Sequence, residues 1–117
     1  AEKWEREGMK EKALGLYVSE AEKDAGDVEA RRRAAELSWK LGRREDAILW
    51  FKAAIKTTDS PESEVPLTFR LTEIFLQNAD TRKEAILHLE KVCNNHKGTK
   101  FAEYARERLD RIGVPPV

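Results

Sequence analysis

Three side chains near the end of the chain could hold a soft metal ion or act as a nucleophile and its base: His88, Cys93 and His96. His96 follows Cys93 by three residues and His88 by eight, so all three fit on one helix. Zinc needs about four ligands, or three and a water, together with supporting groups. The chain has one Cys and two His, and Cys93 falls on the apolar face of its predicted helix. The pattern therefore favours a buried structural thiol over a metal site.

Covalent catalysis by Cys93 would require a His held beside it and a third, orienting group. His96 is close in sequence, but the region has neither an oxyanion-hole loop nor a Gly-rich phosphate-binding turn. Acidic residues alternate with Lys and Arg, as they do on a solvated surface. The sequence predicts a protein that is not an enzyme and that needs no cofactor.

The charge composition argues against a nucleic-acid partner. Lys and Arg total 22 and Asp and Glu total 22, whereas phosphate binding usually goes with a basic excess. No apolar run approaches the roughly 20 residues of a membrane span, and no targeting segment is visible. A single Cys fits either the cytoplasm or a bacterial periplasm. The length of 117 residues predicts one domain.

The Arg31–Arg33 run is the sharpest cluster of charge. Helical spacing separates two stripes along it. A packing stripe contains Ala34, Leu37, Ser38 and Leu41, and an outward stripe contains Arg32, Glu36, Trp39 and Lys40, with Arg33 at its edge. Two interpretations of the outward stripe remain open. It is either an ordinary solvated helix face, because surface charge is common, or a partner-binding face, because Trp and Arg often anchor interfaces.

Apolar periodicity predicts helices throughout the chain. Their expected ranges are Glu2–Arg6, Lys10–Lys23, Val28–Leu41, Glu45–Thr57, Val65–Asn78, Arg82–Asn94 and Thr99–Ile112. Asp27 and Thr99 are the expected N-caps, Gly42 and Gly113 mark helix ends, and Pro115 and Pro116 prevent continuation. The last helix carries its apolar face as Phe101, Ala105, Leu109 and Ile112.

The helices repeat in pairs. Three residue pairs lie 34 positions apart, namely Gly8 and Gly42, Ala13 and Ala47, and Tyr17 and Phe51. Ala85 and Leu89 follow 38 positions after Ala47 and Phe51, with the extra residues expected in a loop at residues 59–62. A Gly can end the first helix of a pair, a small Ala lets the second helix cross closely, and a large residue one turn on fills the gap.

This pattern resembles the tetratricopeptide repeat (TPR) family, with Ala35, Ala47, Phe51 and Ala54 at the family's small and aromatic positions. The segment from Gly98 to Leu109 is similar to hairpin starts in bacterial envelope members. The resemblance implies an all-α, right-handed array of helical hairpins. It divides the chain into a partial repeat (1–27), two repeats (28–62 and 63–97), a capping helix (98–113) and a tail (114–117).

In such arrays the first helices of successive hairpins line a concave groove that binds a peptide or a partner helix. Carried over to this sequence, the groove residues are Arg32, Arg33, Glu36, Trp39, Lys40, Phe69, Arg70, Glu73, Leu76 and Gln77. Glu36 stands where carboxylate-clamp members carry Asn, so that subclass is disfavoured. A second hypothesis is a structural or self-assembling segment of a larger solenoid, in which apolar surface around Trp4 and Leu14 makes contacts between terminal helices of two copies.

Overall fold

The computed structural model describes the backbone of residues 2–113 and the side chains of residues 8–113, and this part of the chain contains no strand. The all-α prediction is confirmed. Six α-helices follow one another: α1 Glu2–Lys23, α2 Val28–Lys40, α3 Arg44–Thr57, α4 Pro61–Leu76, α5 Arg82–Asn95 and α6 Lys100–Ile112. Pro115, Pro116 and the side chain of Trp4 lie outside the described residues. The chain divides into two compact units, Ala1–Leu67 and Thr68–Val117, and each is described by itself.

The first helix is continuous, so the predicted break between Arg6 and Lys10 is wrong. α1 runs through Gly8 without interruption. One Gly inside a helix costs about 1 kcal/mol, and the surrounding Glu, Lys, Arg and Ala are strong helix formers. Gly42 behaves differently, because it takes a φ of +79° directly after α2 and ends the helix as predicted. The spacing that relates Gly8 to Gly42 therefore does not mark two equivalent turns.

In the first unit, α1 packs on α2 and α2 packs on α3. Asp27 begins α2 as predicted, because its side chain accepts a 2.9 Å hydrogen bond from the backbone N–H of Ala30. The core is rich in small residues around one ring: Ala35, Ala47, Phe51 and Ala54 are all fully buried. Small side chains at these places let the two helices approach closely. The predicted burial of Ala47, Phe51 and Ala54 is confirmed.

The fourth helix begins four residues earlier than predicted. The Ser60 hydroxyl accepts a 3.3 Å hydrogen bond from the backbone N–H of Ser63. Pro61 occupies the first helical position, where its missing N–H is not needed. The expected loop at Pro61 and Glu62 is therefore helical. Pro66 lies inside the helix on an exposed position, and the helix ends at Leu76 rather than at Asn78.

In the second unit, α5 packs on α6 and a short 3-10 turn, Ala79–Thr81, leads into α5. The Thr81 hydroxyl donates a 2.5 Å hydrogen bond to the carbonyl of Phe75, which closes the end of α4 without a glycine. The second-unit core contains Leu71, Ile74, Phe75, Ala85, Leu89, Val92, Ala105 and Leu109. Thr99 caps α6 as predicted. Ala105 and Leu109 are buried and Phe101 and Ile112 are half-buried, so the predicted apolar face of this helix is confirmed.

Candidate functional site

The predicted binding residues of α2 form an accessible face on the first unit. Arg32, Glu36 and Trp39 are half-buried, and Arg33 and Lys40 are exposed. The opposite side of the same helix holds Ala30, Ala34, Ala35 and Ser38, all buried. The burial of Ala34 and Ser38 agrees with the packing side that helical spacing predicts, whereas Leu37 and Leu41 of that predicted side are only half-buried. Part of the Trp39 side chain remains available to a partner.

The three consecutive arginines have different roles. Arg31 donates to the carbonyl oxygens of Ala21 (3.2 Å) and Asp24 (3.2 Å). It thereby satisfies carbonyl groups at the end of α1 that have no partner within the helix. Arg32 and Arg33 instead both bind the carboxylate of Glu29, one turn earlier on α2. Arg31 also donates to the carbonyl oxygen of Asp27, the N-cap of its own helix, at 3.0 Å. The sequence did not show the contacts with Ala21 and Asp24, because those carbonyls lie outside α2 and no spacing rule within one helix places them.

Glu29 holds the two outward arginines in position. The hydrogen bond from Arg32 lowers the pKa of the Glu29 carboxyl most, burial raises it by less, and Arg33 lowers it further, to about 2. The Arg33 guanidinium also donates to the Tyr17 hydroxyl at 3.1 Å, and its Cζ lies 5.5 Å from the centre of the Tyr17 ring. These contacts join α1 to the outward side of α2.

The predicted residues of α4 form a second accessible face, in the second unit. Phe69, Arg70, Glu73 and Leu76 are half-buried and Gln77 is exposed. Arg70 pairs with Glu73 at 3.1 Å. Arg108 of α6 lies 4.9 Å from the centre of the Phe69 ring and 3.6 Å from a carboxylate oxygen of Glu73. Arg108 therefore belongs to this face. The sequence did not single it out, because its partners are more than 30 positions away.

The structure does not bring the thiol and the two imidazoles together into one site. The His88 ring stacks on Phe75 with 5.7 Å between centres, and the His96 ring meets the edge of Phe101 at 5.9 Å. Cys93 is half-buried and not buried as expected. It lies against α6, with its sulfur 3.7 Å from the carbonyl oxygen of Ala102. Burial raises the pKa of the Cys93 thiol, and nearby Arg106 lowers it by less.

A search of the described residues gives no group of three or more His, Cys, Asp and Glu side chains able to hold a metal ion. Within the same part of the chain, no helix is both long and apolar enough to cross a membrane.

Comparison with protein-family models, with curated proteins and with solved structures gives no match to this chain.

Proposed function

We propose that this protein is a protein-binding module built as a TPR-like array, which binds an extended peptide or a partner helix on the outward faces of α2 and α4. The arrangement of hairpins is part of the proposal. It is supported by the close α2–α3 pair, in which Ala47, Phe51 and Ala54 are fully buried at the positions where the repeat requires small and aromatic residues. The turn at Gly42, with its left-handed backbone, supports it further.

One observation supports the binding function most strongly. The same three types of side chain recur on α2 and α4, the two helices that begin a hairpin in the proposed array. Each helix carries a half-buried aromatic residue, an arginine and a glutamate: Trp39, Arg32 and Glu36 on α2, and Phe69, Arg70 and Glu73 on α4. Trp and Arg are among the residues most enriched where a few side chains dominate the binding energy of an interface. Such faces favour an amphipathic partner that carries acidic side chains beside apolar ones. That the two faces act as one groove remains a prediction.

Selection of peptides on the full chain tests the proposal. A library of random peptides displayed on phage is enriched on the immobilised protein, and the affinity of the best synthetic peptide is measured by titration calorimetry. We expect Trp39→Ala to weaken binding about thirtyfold, the loss typical of an anchor residue. Arg70→Glu should weaken it as well.

Matched controls lie on α3. Leu49→Ala removes an exposed apolar side chain and Lys56→Glu reverses an exposed charge, each away from the proposed faces. Both should leave the affinity within about twofold. If Trp39→Ala and Arg70→Glu bind as the parent does while circular dichroism shows an intact fold, these faces are not the binding site.

A second candidate function, a self-assembling segment, is favoured by one observation on α1. Met9 and Leu16 are 71% and 68% exposed, and they are seven residues apart, so they share a helix face. Leu14, by contrast, is buried at 8% and does not contribute to such a surface, contrary to the expectation from the sequence. Light scattering across a range of concentrations distinguishes the candidates. A molar mass that rises with concentration, and that no longer rises in Leu16→Lys, would support self-assembly. A constant monomer mass would rule it out.

A further inference from the structure

A pocket of about 390 Å³ opens between α1 and α2, entirely within the first unit. Its lining combines an apolar floor with a charged rim. The lining residues are Ala13, Tyr17, Arg32, Arg33, Glu36, Leu37 and Lys40. The α1 residues of this pocket are not among those that the repeat pattern assigned to binding, so the pocket extends the proposed site across to a second helix.

The repeat spacing relates the α1 residues of this pocket to buried residues of α3. Ala13 and Tyr17 lie 34 positions before Ala47 and Phe51, and thus at the equivalent places on α1 and α3. Ala47 and Phe51 are fully buried in the hairpin in which α2 packs on α3. Ala13 and Tyr17 are only half-buried, since residues 2–10 continue α1 and do not fold back along it. α2 packs on α1 as well, but it leaves Ala13 and Tyr17 only partly covered.

The chemistry of the pocket differs from that of the closed hairpin. At the place of Phe51, α1 carries Tyr17, whose hydroxyl accepts the hydrogen bond from Arg33. A guanidinium has about five N–H donors, so Arg33 keeps donors for a further acceptor after binding Glu29 and Tyr17. Lys40 stands exposed at the same rim. Counting Glu29 with the rim residues, three cations face two carboxylates, which leaves one positive charge at the mouth of the pocket.

We propose that this pocket binds an acidic amphipathic helix of a partner protein, which takes the place beside α1 that α2 takes beside α3. A carboxylate of the partner is bound by Arg33 and Lys40. An apolar side chain one turn away on the same helix packs on the Tyr17 ring and Leu37. The positive charge at the pocket mouth favours an acidic partner. Ala13 and Tyr17 are half-buried at positions whose α3 equivalents pack against a helix, so they favour a helical partner. This inference rests on the proposed function and names the partner's chemistry.

The probe is the same random peptide library displayed on phage, selected on the full chain. The enriched peptides should carry Asp or Glu three or four positions from a large apolar residue and should become helical on binding. Arg33→Glu should lower their affinity at least about tenfold, and Tyr17→Ala by a similar factor. Tyr17→Phe, which removes only the hydroxyl, should lower it by about two- to threefold. Lys56→Glu is the charge-reversal control and should change nothing.

The outcomes separate the inference from the function that it rests on. If Trp39→Ala lowers the affinity of the peptides while Arg33→Glu and Tyr17→Phe leave it unchanged, the proposed function stands and this site is overturned. Enriched peptides without acidic residues would overturn it too. If no peptide is enriched, both proposals fail. Should Tyr17→Ala not fold, the Tyr17→Phe and Arg33→Glu variants still decide, because Tyr17→Phe keeps the aromatic ring and Arg33 is exposed.

Discussion

Replacement of Ala47 by leucine tests the close approach of α2 and α3. Ala47 is fully buried in α3, one turn before Phe51, and Ala35 of α2 and Ala54 of α3 are also fully buried. Leucine adds three carbon atoms where no space is left. Leucine is nearly as good a helix former as alanine, so a loss of stability reports on packing and not on helix propensity. Overpacking of this kind typically lowers the free energy of unfolding by about 1–3 kcal/mol.

For a chain of this size, about 1 kcal/mol shifts Tm by about 3–6 °C, so the expected fall in Tm is roughly 3–18 °C. The free energy of unfolding is measured by urea titration followed by circular dichroism, and Tm by calorimetry. The control is Leu49→Ala, because Leu49 is exposed on the same helix. A surface substitution of this kind should change the free energy of unfolding by no more than about 0.5 kcal/mol. Unchanged or increased stability of Ala47→Leu would refute the tight crossing and, with it, the repeat register.

Three further predictions concern single polar groups. Ser38 is buried and its hydroxyl has no hydrogen-bond partner among the described residues. Ser38→Ala should therefore raise the free energy of unfolding by up to about 1 kcal/mol, and a loss of that size in urea titration would contradict it. Glu29 should titrate at about 2 by carboxyl NMR, below its ordinary 4.5. Because this pKa is lowered in the folded state, the Glu29 carboxylate contributes fully to the free energy of unfolding above pH about 4.5, and this contribution is lost as pH falls towards 2. Glu29→Gln should reduce this pH dependence. Cys93 should react with a thiol reagent at pH about 8 more slowly in the folded protein than in urea, and equal rates would refute the raised pKa.

Local signals predicted the helix boundaries well where a single side chain defines them. Asp27 and Thr99 cap helices as expected, because a cap needs only an oxygen within reach of N–H groups three residues on. Gly8 misled the prediction, since a glycine ends a helix only where the flanking residues also favour a turn. Ser60 and Pro61 were placed in a loop, although together they match the cap and first position of a helix.

The candidate site was predicted in part. Helical spacing placed Arg32, Glu36 and Trp39 together on one side of α2, because periodicity shows which side chains of a helix share a face. The α4 residues were instead carried over from the resemblance to the repeat family. Tyr17 and Arg108 were not identified as members of these faces. Each contributes through a contact with another helix, Arg33 in the first case and Phe69 in the second. Such contacts depend on how helices pack, and periodicity within one helix does not encode them.

Backbone amide NMR spectra of the full chain, titrated with a selected peptide, test whether a partner binds the outward faces of α2 and α4. We expect the largest chemical-shift changes on residues 32–40 and 69–77, and we expect Trp39→Ala to abolish them. Changes centred on Leu49 and Leu87, the exposed leucines of α3 and α5, or on Met9 and Leu16 of α1, with residues 32–40 and 69–77 unaffected, would contradict it.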